Sequence, residues 1–147
     1  MLVPAPITSI WALLVRVEAR GLWQPSISSG ELLSGEQGAI YSQYALNCDN
    51  PHAPLLVMEE ILLSTPPTAL QSVRHYPGLD CYTDYRLISV QPQSCQLSMR
   101  RRLLKTSASK QQVVSQGLID VLDPLLEQQA IMLAAQRLLQ RAETLVD

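Results

Sequence analysis

Three consecutive arginines, Arg100, Arg101 and Arg102, form the densest charged feature of this chain. Residues 100–110 hold five of its eleven lysines and arginines, against a net charge of −2 for the whole. The basic character is therefore local. Neighbours on a strand point to opposite faces, so Arg100 and Arg102 would share one side and Arg101 would take the other. A nucleic-acid backbone needs its cations on one surface, so specific nucleic-acid binding is not expected. Arg100 and Arg102 are left as a contact for an anionic partner, with a solvated strand end as the plainer alternative. Asp84, Arg86 and Arg101 make a sharper candidate. They fall on a mostly apolar strand face, where charges are kept only when paired. Asp84 with Arg101 would be an ion pair, and Arg86 beside them could hold a carboxylate or phosphate in a cup between sheet and helix.

Other reactive residue types lack a working geometry. His75, Asp80 and Cys81 invite a Cys–His nucleophile, but closeness in sequence is not reach in space, and no local signature accompanies them. No catalytic residue is assigned. Cys48, Cys81 and Cys95 are odd in number, show no C-x-x-C spacing, and alternate with polar residues as small core side chains do. No metal site and no cofactor is expected. Glu59 and Glu60, as strand neighbours, would point to opposite faces and cannot form a one-sided acid–base pair. The six glycines stand apart, so no phosphate-cradling loop is present.

These residues need elements to hold them. Trp11, Leu13, Val15, Val17 and Ala19 alternate with Arg16 and Glu18, which predicts a strand over 10–19. Residues 26–38, rich in glycine and serine, read as a loop. A strand over 40–48 follows, broken by Asp49-Asn50-Pro51. Residues 55–63 read as a strand, although Pro54 could open a short helix. Residues 68–75 read as a turn or short helix. Residues 81–90 and 95–104 both alternate around a turn, Gln91-Pro92-Gln93-Ser94. Pairing across that turn sets Ile88 opposite Leu97 and Asp84 opposite Arg101, with Tyr82, Asp84, Arg86, Ile88 and Val90 on the core face.

After residue 106 the chain reads as helical. Ser109 and Gln112 form a capping box, and Asp123-Pro124 ends or kinks one helix and starts the next. That next helix carries an apolar stripe with Leu125, Ile131, Met132, Leu138 and Leu139, widened by Leu126 and Leu133. A helix lying once on a sheet needs about 100° of apolar surface. This one has more, so it should have a second neighbour, either the preceding helix or a partner chain. These seven residues are the candidate partner surface, most simply in a homo-oligomer.

With 47% apolar and 16% charged residues, the composition fits a globular fold and excludes a disordered chain. No apolar run reaches the roughly 18 residues of a membrane-spanning helix. The N-terminal stretch lacks a basic leader, Pro4 and Pro6 interrupt it, and the odd cysteine count fits a reducing cytoplasm. The expectation is a single α+β domain over residues 1–147, sheet-forming to 106 and helical over 107–147. Its sheet would be mainly antiparallel, of four to five strands, with long C-terminal helices packed on one face. The leading functional expectation is a non-catalytic protein–protein interaction or assembly subunit (adaptor, chaperone or structural component) that meets partners through the C-terminal helix. The alternative is a small-ligand-binding cup between sheet and helix, and a small enzyme comes third.

Overall fold

The computed structural model describes residues 1–49, 56–106 and 116–146. Among these residues seven strands make one antiparallel sheet: β1 (Leu2–Val3), β2 (Ile27–Ser34), β3 (Gln43–Cys48), β4 (Leu56–Thr65), β5 (Ala69–Tyr76), β6 (Leu79–Gln91) and β7 (Ser94–Lys105). Their order is β1-β7-β6-β5-β4-β3-β2, so β2 to β7 run as successive neighbours and only β1 pairs at long range, Val3 with Cys95. Four helices, α1 (Ile7–Val15), α2 (Arg20–Trp23), α3 (Gln116–Val121) and α4 (Pro124–Val146), accompany the sheet. Their apolar residues join the inner strand face in one core. The α+β class with C-terminal helices matches the sequence expectation; the strand count is seven rather than four to five.

Three strands were not expected: β1 is only two residues long, and β2 and β5 were hidden by their own composition. The expected loop at 26–38 contains β2, an edge strand in which only Ile27 is fully buried. Its Gly30 is no breaker: a Cβ there would sit 2.9 Å from Leu46 Cδ2 and 3.0 Å from Val17 Cγ2. The glycine lets the strand lie close under its neighbours. The turn or helix expected at 68–75 is β5. Ser72 and Arg74 point inward with Leu70 and Tyr76, and these buried polar groups mask the alternation.

The strand expected over 10–19 is instead most of α1 and a 3-10 turn over Val17–Ala19, with α2 following directly. Apolar residues fill nearly every position of this segment, so periods of 2 and 3.6 fit the same letters. Of the buried residues of α1, Ile10, Leu13, Leu14 and Val15, the first three have helical spacing. Pro6 caps the start, its carbonyl accepting from the Ser9 and Ile10 amides.

The β6–β7 hairpin stands where alternation predicts it, but its register differs. Gln91 pairs with Ser94 around Pro92-Gln93, and one extra residue, Val90, bulges from β6. Leu87 therefore faces Leu97, Thr83 faces Arg101, and Asp84 faces Arg100. That single residue inverts β6. Its core face is Cys81, Thr83, Tyr85 and Leu87, and Asp84 and Arg101 lie on opposite sides of the sheet. Residues 56–65 are extended, as expected for this segment. The Ser109–Gln112 capping box lies outside the described residues. Asp123-Pro124 separates α3 from α4, with Asp123 Oδ1 accepting from the Leu125 amide at 2.9 Å as an N-cap. Helix α4 then buries Glu127, Ile131, Ala134 and Ala135.

Candidate functional site

Polar groups cluster where α4 meets the inner sheet face. Glu127, in the first turn of α4, is buried and accepts hydrogen bonds from three strands. Arg74 on β5 donates Nη2 at 2.9 Å to Oε1, while Tyr85 on β6 and Arg101 on β7 donate to Oε2 at 2.8 and 2.6 Å. Arg101 also donates Nε to Thr83 Oγ1 at 3.0 Å and Nη1 to the Leu122 carbonyl at 2.9 Å. One guanidinium thus holds the α3–α4 corner onto the sheet. A second buried carboxylate, Glu59 on β4, lies between Arg20 Nη2 at 2.7 Å and Arg74 Nε at 3.4 Å. Arg20 is stacked over the Tyr44 ring at 4.6 Å and the Trp23 ring at 5.5 Å.

This arrangement stabilises charge rather than moving protons. Burial would raise the Glu127 carboxyl, but Arg74, Arg101 and the hydrogen bonds outweigh it and hold the group below its ordinary value. Burial, with Glu127 adding to it, pushes the Tyr85 hydroxyl well up, so Tyr85 stays neutral and donates. Burial would lower Arg20 and Arg74, yet Glu59 and Glu127 respectively reverse it and both remain charged. A general base near neutral pH needs a free lone pair and a pKa near the working pH. Glu127 has neither, since both oxygens are engaged.

Three guanidinium groups, of Arg20, Arg74 and Arg101, face two carboxylates in this interior, leaving one positive charge over. Arg20 Nε, Arg74 Nε and the Gln24 amide nitrogen are buried without a hydrogen-bond partner, as is one acceptor, Glu59 Oε1, which meets Arg20 only as an ion pair. Such groups carry a desolvation cost unless a water or ligand meets them.

The trio Asp84, Arg86 and Arg101 is divided by the sheet. Arg101 joins the buried network, while Arg86 Nε pairs with Asp84 Oδ1 at 3.0 Å on the outer face. Arg100 and Arg102 share that outer face, as strand parity predicts. Arg20, Glu59, Arg74, Tyr85 and Glu127 were not among the expected site residues. One signal pointed to Glu127: it is a lone carboxylate on the same helical stripe as Ile131, Ala134 and Leu138. His75 sits half-exposed with Asp80 at 2.8 Å, whereas Cys81 is buried, so no dyad forms between His75 and Cys81. All three cysteines are buried, and burial raises the Cys95 thiol. Among the described residues no group of three or more His, Cys, Asp or Glu is placed to hold a metal ion. No described helix is long and apolar enough to cross a membrane.

No protein-family model and no curated protein matches the sequence. The fold, by contrast, is shared with solved structures. The Zhui aromatase/cyclase from Streptomyces sp. R1128 superposes with a TM-score of 0.70 at 17% identity, covering 93% of this chain and 90% of that one. A START superfamily protein from Mycobacterium smegmatis gives 0.71 at 14%, with 94% of each chain covered. Ara h 8.0201 gives 0.69 at 13%, covering 96% and 94%. The chain therefore has a START/Bet v1-like fold. At these identities the likeness establishes the fold and nothing finer.

The expected assembly subunit working through its C-terminal helix is corrected by these findings. Ile131 is fully buried and Leu138 packs against the same core, so this part of the partner surface faces the chain's own interior. The exposed members, Leu125, Leu126, Leu133 and Leu139, are 41–55% accessible, and Met132 is half-buried.

Proposed function

We propose that the chain binds a small anionic molecule with an apolar body in the cup between the inner sheet face and α4. The observation that carries this reading is the unbalanced interior: three buried arginines against two glutamates, with Arg20 Nε and the Gln24 amide unpartnered. An anionic head group would neutralise the excess charge and accept those donors. Leu70, Leu87 and Ile131 are packed in the core beside them, so the apolar body would meet these residues as α4 lifts from the sheet. The likeness to the START superfamily protein and to the aromatase/cyclase supports a cup of this kind. The reading takes residues 1–147 as one domain working in the cytoplasm, consistent with three buried free thiols.

Titration with 2-naphthoate and its neutral analogue 2-naphthylmethanol tests it. The carboxylate should raise the melting temperature by several degrees at saturation, since ligand at about 100 times its Kd adds roughly 2.7 kcal/mol. The alcohol should do much less. Equal responses to both, or none to either by calorimetry, would reject the charge argument.

A further inference from the structure

A recess lies on the outer face of the sheet. Leu62, Gln71, Tyr82, Asp84, Arg100 and Arg102 line a groove of about 480 Å³, and Ser72, Thr83 and Arg101 complete its floor. The ladder sets Tyr82 opposite Arg102 and Asp84 opposite Arg100, with Gln71 opposite Asp84 on the other side. The Arg102 guanidinium lies 4.9 Å from the Tyr82 ring centre, forming a flat exposed ledge. Among the described residues no carboxylate is within ion-pair distance of Arg100 or Arg102. Asp84, the one carboxylate lining the groove, is engaged by Arg86.

We infer that this groove binds a small molecule combining a planar ring with a phosphate group. A guanidinium stacks on flat unsaturated rings, so the ring lies on the Arg102–Tyr82 ledge. Arg100, two residues along the same strand face, presents its fork to the phosphate oxygens. The Gln71 amide offers a donor and an acceptor to the ring edge, and Leu62 supplies an apolar wall. The volume falls within the range of small-molecule sites, about 300–1,000 Å³. This site stands apart from the interior cup, and neither depends on the other.

Calorimetry on the full chain with adenosine monophosphate, adenosine and inorganic phosphate tests it. Adenosine monophosphate should bind, with adenosine and phosphate each weaker by at least about tenfold, the loss expected when a charge-assisted contact or a stacked ring is missing. Arg100→Gln should weaken the nucleotide by about tenfold and leave adenosine unchanged. Arg102→Gln should weaken both. Both arginines are exposed, so the variants should keep the wild-type circular dichroism spectrum. No nucleotide binding at millimolar concentration would overturn the inference. So would phosphate binding as tightly as the nucleotide. Nucleotide binding undiminished in the double variant would place the ligand elsewhere, the interior included, and overturn it equally.

Discussion

Glu127 accepts from three side chains on three strands, so its charge matters most where that company is intact. Replacing it by Gln keeps the shape but leaves Arg101 without a counter-charge and Arg74 with only the longer contact to Glu59. Breaking a buried pair in this way costs about 3–5 kcal/mol, and Glu127→Gln should show that loss in urea unfolding at neutral pH. The pH dependence has a definite sign. The folded carboxyl lies below its ordinary value, so its contribution is complete above about pH 4.3 and fades as pH falls through the folded value. The stability gap between wild type and Glu127→Gln should therefore shrink below that pH. A gap that stayed constant to about pH 2 would mean that the carboxylate's charge is not what stabilises this corner. Of this network, only Arg101 was legible in the sequence as a candidate. Arg74 and Glu59 sit on inward positions of strands where a charge reads as an interruption. Arg20 lies one residue past the segment read as a strand, in a helix of only four residues.

Helix α4 depends on a small device at its start. Asp123 caps the helix, Pro124 occupies the first turn, and Glu127 then falls on the buried side. Asp123→Ala should cost about 1 kcal/mol, and Asp123→Asn only a few tenths, read as a shifted urea midpoint at unchanged slope. An equal loss in both variants would mean that the cap is not what Asp123 provides. This boundary was legible because caps and prolines act locally. The two strands of the long hairpin were legible too, since β6 and β7 alternate over most of their length. Their register was not. A bulge at Val90 depends on how the turn fits the twist of the paired strands, and no single letter announces it. The error it caused is complete along β6, because parity either holds or inverts. Residues 26–34 and 69–76 failed for the opposite reason: each strand carries polar or glycine residues where tertiary contacts, rather than its own pattern, settle the structure.

Across the whole molecule, α4 closes an interior whose charges come from distant parts of the chain. Glu127 is 53 residues from Arg74, 42 from Tyr85 and 26 from Arg101. A truncated chain of residues 1–115 would retain every strand and lose both Glu127 and the Ile131–Ala135 cover. We expect it to bind 1-anilinonaphthalene-8-sulfonate and to show no cooperative urea transition, with secondary structure partly kept, as loosely packed states do. A sharp transition near the wild-type midpoint would show that the sheet closes without the helix. The same geometry has a consequence during synthesis. Chains are made from the N-terminus, so all seven strands leave the ribosome before residue 127 does. Until then, burying Arg74 and Arg101 is costly, and the sheet has little reason to shut. On this geometry Arg101 opposes closure of the emerging sheet until Glu127 reaches it.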